Sequence, residues 1–164
     1  MPFFLRKMLR LGKLPEDLRE QLESEGIIYL AEYLAVSCRF SGAVPGLRAA
    51  GSAVRYAGAL VFTSERAVAT LPTAADAAGL AVDQRWDASQ IGAAGFTVNE
   101  AGAILDLDIA KVDPEFHGHL SLHYKDVIPA NVLRLMPRTS LAFDVGAQYV
   151  YAAVGVRGPK STRA

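Results

Sequence analysis

The feature that most limits what this chain can fold into is a succession of short stretches in which apolar and polar residues alternate, each closed by turn-forming residues. "IGAAGFTV" and "AILDLDIA" face each other across "NEAG", and "FHGHLSLHYK" follows. Alternation with period two gives a strand one face for a core and one for water. Two such runs joined by a few turn residues form a hairpin. "YAGALVFTSERAVATL" repeats the arrangement, with "TSER" supplying the turn. The chain is therefore expected to be mainly β: a small antiparallel barrel or paired sheets of six or seven strands, within a single domain.

Residues 27–40 alternate well enough to assign faces. Ile28, Leu30, Leu34, Val36, Cys38 and Phe40 fall on one side, and Tyr29, Tyr33, Ser37 and Arg39 on the other. Glu32 interrupts the apolar side, which predicts a bulge or the point where the strand leaves the sheet. The small-residue stretches "SGAVPGLRAAG" and 72–79 read as loops, and a short strand is expected around Trp86. Two segments have helical character. "LPEDLREQLESEG" carries Pro15 in its first turn, acids at its start, Gly26 at its end and a stripe of Leu14, Leu18 and Leu22. "PANVLRLM" is bounded by Pro129 and Pro137 and predicts a short capping helix at 130–136. Residues 141–156 alternate weakly and read as one more strand pair.

Apolar residues make up 51% of the chain and charged residues 21%, enough to build a core and too apolar for general disorder. No apolar run approaches the roughly 20 residues of a membrane-spanning helix. Basic residues interrupt the start before a secretory signal can form. Cys38 is the single cysteine, so no internal disulfide framework is possible, and a reduced, cytoplasmic setting is the expectation. Charge is unevenly placed: Arg6, Lys7, Arg10 and Lys13 at the start and Arg157, Lys160 and Arg163 at the end have no acid among them. Residues 14–156 then hold 10 basic against 17 acidic residues. An acidic body is not the footprint of a nucleic-acid binder. The reading is a basic amphipathic segment at 1–13, one β domain at 14–156 and a basic tail at 157–164.

"GALVFTSERAVAT", with Gly58, Leu60, Phe62, Thr63, Arg66 and Val68, resembles the bacterial PH-like and GRAM-like domains. "WDASQIGAAGF" resembles the element that follows it in those domains, and "LSLHYKDVIPANVLRLM" their closing strand and capping helix. The resemblance covers roughly residues 26–137. It implies a binding or scaffold module at a membrane surface or on another protein, without catalytic residues or a cofactor. Phosphoinositide-binding members place basic residues around the first strand pair; Arg39, Arg48 and Arg55 are what this chain offers there.

As a helix, the first segment sets Phe4, Leu5, Met8 and Leu11 against Arg6, Arg10 and Lys13. Phe4, Arg6, Lys7, Met8, Arg10 and Lys13 are the candidate contacts to an anionic membrane, at the inner face, or to a protein partner. The same apolar face would equally cover the chain's own body or a twin subunit in a homo-oligomer. His117, His119 and His123 share one strand face, and Asp106 and Asp108 share a face of the preceding strand. Side by side they form solvated cross-strand pairs, with imidazole and carboxylate also being metal-ligand types. Cys38 on the apolar side reads as a core residue. "GPKST" lacks the first glycine and the following helix of a phosphate-binding loop. A small barrel whose mouth is framed by 72–79 and "IGAAG", holding an apolar small molecule, is the alternative function.

Overall fold

The computed structural model describes residues 12–71 and 79–155. Helix α1 (Glu16–Glu25) precedes four strands, β1 (Ile27–Val44), β2 (Leu47–Thr63), β3 (Arg66–Thr70) and β4 (Leu80–Arg85). β5 (Ala94–Asn99), β6 (Gly102–Asp108), a single 3-10 turn (Ile109–Lys111) and β7 (His117–Lys125) follow. The chain then forms α2 (Ala130–Leu135), β8 (Ser140–Phe143) and α3 (Ala147–Val154). The eight strands form one antiparallel sheet in the order β4-β3-β2-β1-β7-β6-β5-β8, curled into a nearly closed barrel. The architecture is mainly β, a small antiparallel barrel with flanking helices as expected, built from eight strands rather than six or seven.

The end strands β4 and β8 are joined by other elements. The Tyr149 hydroxyl on α3 donates to the Ala81 carbonyl on β4 at 2.8 Å, and Gln90 Oε1 accepts from the Ala142 amide on β8 at 2.8 Å. α3 packs on the inner face of β1 and ties it to β4, with Val150, Tyr151 and Ala153 in the main core. Within the stretch read as a strand pair, the described residues 141–155 are thus a strand and a helix. Gly146 and Gly155 bound the helix, Gly155 with the positive φ of +77° suited to a helix end.

Phe62, Phe96, Phe116, Leu105, Leu107, Leu120, Leu122 and Tyr124 fill the interior, none more than 1% exposed. A second cluster lies on the outside of the barrel, where Leu14, Leu18 and Leu22 pack on Ala59, Val61, Val68 and Leu80. α1 thereby covers the outer face of β2 and β3. β1 serves both clusters because it bulges: its register with β2 shifts between Ala31 and Leu34. Before the bulge Leu30 packs toward α1; beyond it Leu34, Val36, Cys38 and Phe40 face the interior. The expected bulge is present, and it corrects the face assigned to Leu30.

Glu32 and Tyr33 hold the root of the N-terminal segment at this bulge. Tyr33 has a φ of +58° and donates its amide to the Gly12 carbonyl at 2.6 Å. Glu32 accepts the Leu14 amide at 2.8 Å and pairs with Arg19 at 2.9 Å. Removing a part-buried acceptor strands both donors, so Glu32→Ala should lose about 1–3 kcal/mol in urea unfolding. Glu32→Gln, which keeps an acceptor for Leu14, should lose less than half of that. Equal losses in the two variants would show that the carboxylate charge, not the capping bond, sets the effect.

Candidate functional site

β1 and β2 form a long hairpin that turns at Pro45 and Gly46, the latter with φ +93°. Proline followed by a positive-φ glycine suits a type II turn. The stretch "SGAVPGLRAAG" is thus the end of this hairpin rather than a loop, and Arg48 stands on a strand. Residues opposite each other in an antiparallel pair share a face, so the register fixes what stands together.

On the outer face Ser37 lies between Arg55 on β2 and His123 on β7. Arg39 lies between Ala53 and Ser121, and Ala43 between Arg48 and His117. Ala35 lies between Ala57 and Lys125. Directly opposed side chains start about 4.5–5.5 Å apart, and diagonal ones such as Arg39 and Arg55 about 7–8 Å apart. Both guanidinium groups can therefore reach one anion from a floor of serine and alanine.

The charge on this face is uncompensated. Arg19, Arg66 and Arg85 each pair with carboxylates around α1 and the β2–β3 turn. Arg66 is held by Glu25 and Asp83, both at 2.8 Å. Among the described residues no acid lies within ion-pair distance of Arg39, Arg48, Arg55 or Lys125. The nearest carboxylate row is on β6, where Asp106 is opposite Ser121 and so two strands, roughly 10 Å, from Arg39.

The histidines point outward, and Leu120, Leu122 and Tyr124 inward, as the alternation predicts. His119 Nε2 lies 3.3 Å from Asp106 Oδ1, with both side chains more than half exposed, and His123 Nε2 lies 3.4 Å from the Ala101 carbonyl. Among the described residues, no three His, Cys, Asp or Glu side chains come together as a metal set. Cys38 lies on the inner face, where burial raises its thiol to about 11, so it stays protonated near neutrality. A buried, protonated thiol is a poor nucleophile.

The β2 strand has a second unusual feature. β3 pairs with it only at Leu60, Val61 and Phe62, so among the described residues 47–57 pair on the β1 side alone. All six residues from Ala50 to Arg55 are exposed, on both faces of the strand. The hydrophobic side chain among them, Val54, is 47% exposed opposite buried Cys38.

Of the contacts expected in the N-terminal segment, Phe4, Arg6, Lys7, Met8 and Arg10 lie outside the described residues, as do the loop residues 72–78 and "GPKST". Lys13 is placed, exposed, with its Nζ 3.6 Å from Glu16 Oε1. The clustering of Arg39, Arg48 and Arg55 was not visible in sequence order, where small residues separate them. Arg48 and Arg55 have opposite parity on β2 and share a face only because the register with β1 shifts between Phe40 and Gly42, a bulge that the turn at Pro45–Gly46 does not reveal. Among the described residues no helix is long and apolar enough to cross a membrane. No protein-family model, no curated protein and no solved structure matches the chain.

Proposed function

We propose that this protein is a non-catalytic binding module of the PH-like type that takes an anionic partner on the outer face of β1, β2 and β7. The observation that supports the reading is the set of four cations, Arg39, Arg48, Arg55 and Lys125, sharing one sheet face without a carboxylate partner. Arg19, Arg66 and Arg85 are neutralised by carboxylates on the body, whereas these four cations stand together on one sheet face. Serine hydroxyls between the arginines add donors for a carboxylate or phosphate oxygen. The basic segment 1–13 extends this capacity, attaching the module to the same partner or to an anionic membrane surface on the cytoplasmic side.

Titrating the full chain with poly-glutamate, followed by amide chemical shifts, tests the reading. Signals of residues 37–41, 48–57 and 119–125 should move and saturate, and binding should weaken as salt shortens the Debye length below about 10 Å. Arg39→Ala combined with Arg55→Ala should weaken binding about tenfold, equivalent to ~1.4 kcal/mol. A chain beginning at Leu14 separates the contribution of the N-terminal segment. Shifts confined to other surfaces, or unaltered affinity in the double variant, would remove this face as the site.

A further inference from the structure

The β2 edge, unpaired among the described residues, lies beside the basic face, and together they define the shape of the partner. We propose that the anionic partner is an acidic extended peptide segment that adds to the sheet as a ninth strand along residues 52–57 of β2. The inference rests on the anionic-partner reading above and specifies it.

A strand paired on one side directs the N–H and C=O groups of alternate residues toward the empty side. Over 52–57 that is about three residues and a length of roughly 20 Å. A peptide laid against this edge would gain main-chain hydrogen bonds independent of its sequence, and specificity from its alternate side chains. On the outer side those side chains would stand next to Arg55 and Ala53, with Arg39 one strand further in. On the inner side they would stand next to exposed Val54 and half-buried Tyr56. The matching segment therefore alternates carboxylates with small apolar residues.

Charge argues against the chain's own ends as the occupant. The chain's own tail carries Arg157, Lys160 and Arg163, and its own start carries Arg6, Lys7 and Arg10. Either would place like charges beside Arg48 and Arg55. A second copy pairing β2 with β2 would bring two sets of the same arginines onto one face. Exposed edges are commonly guarded by charged side chains to prevent self-association, and here that guard selects an acidic strand over another copy.

The experiment uses the full chain and a short capped peptide of alternating Glu and Val. Two further probes are the same peptide N-methylated at alternate residues and vesicles of anionic phospholipid. The peptide should bind and slow amide exchange at residues 52–57. The N-methylated peptide, with its charge intact and half its N–H donors gone, should bind at least tenfold more weakly. Arg48→Ala with Arg55→Ala should weaken the unmodified peptide about tenfold. Equal binding of both peptides would overturn strand addition while leaving anion binding by this face in place. Protection of 52–57 that grows with protein concentration without peptide would make the occupant a second copy and overturn the proposal. Vesicle binding without peptide binding would overturn it in favour of a membrane. Failure of every anion to bind would overturn the anionic-partner reading as well.

Discussion

Gly118→Val is expected to remove on the order of 4 kcal/mol of stability, combining positive-φ strain with overpacking. Gly118 on β7 is opposite Gly42 on β1, and both have positive φ, +110° and +147°. A Cβ on Gly118 would fall 2.0 Å from the Ser41 carbonyl oxygen and 2.6 Å from the Gly42 Cα. A Cβ on Gly42 would likewise fall 2.0 Å from the His117 carbonyl oxygen. The obstacles are backbone atoms of a central strand pair, so rotamer changes cannot relieve the overlap. The strands must separate, with loss of pairing on either side. Because a domain of this size is stable by only about 5–15 kcal/mol, the variant should show a markedly lower urea midpoint. Gly95→Ala is the control: a Cβ there meets nothing within 4 Å, and β5 should tolerate it within about 0.5 kcal/mol. Wild-type stability in Gly118→Val would mean that β1 and β7 do not approach this closely.

The same glycine pair bears on the candidate site. It sits between the row of Arg48, Ala43 and His117 and the row of Ser41 and His119. Bringing the backbones close there fixes how β7 presents its polar face beside the arginines of β1 and β2. A partly folded Gly118→Val protein would therefore lose anion binding along with stability. Stability and binding must be read in separate measurements for variants at this position, in contrast to the exposed Arg39 and Arg55.

Strands buried on one face could be read from the sequence, because burial imposes the alternation. Leu120, Leu122 and Tyr124 alternate with the histidines since one set lies inside the barrel and the other in solvent. Thr63 in "TSER" accepts the Glu65 and Arg66 amides at 3.1 and 3.0 Å, so the turn chemistry was local and legible. The start of β2 was not. Residues 50–55 are exposed on both faces, so no apolar alternation marks them, and pairing with β1 alone makes them a strand. Leu30 was misassigned because a bulge three residues later reverses the parity of the strand. "AQYVYAAV", rich in residues that favour strands, is a helix that packs Val150, Tyr151 and Ala153 into the interior against β1. The site was hidden for the first of these reasons: Arg39 and Arg55 meet only through a long-range register.

Stability should fall steeply between about pH 9 and 11, with Cys38 as a principal cause. Its Sγ lies inside the barrel, 5% exposed, 3.5 Å from the Ala153 carbonyl of α3. Burial raises the thiol from 9.0 to about 11. The folded state thus prefers the protonated form, while the unfolded chain releases the proton from about pH 9 upward. The contribution to stability is complete below the unfolded value and is lost as pH rises through the folded one. Two pKa units correspond to about 3 kcal/mol. Tyr149 and Tyr124 act in the same direction at higher pH: burial raises both, and the nearby Cys38 charge raises them further, with Tyr149 also acting on Tyr124. Their hydroxyls donate to the Ala81 and Thr70 carbonyls, bonds that an ionised phenol cannot donate. Urea unfolding at pH 7.5, 9 and 10.5 measures the slope, and Cys38→Ala should flatten it between 9 and 10 at a fixed loss of about 1 kcal/mol for the deleted sulfur. A thiol reagent at pH 7.5 gives the kinetic counterpart, with labelling that is slow in the folded chain and fast in urea. An unchanged slope in Cys38→Ala, or rapid labelling of the folded chain, would place the thiol in contact with water and detach α3 from β1 in solution.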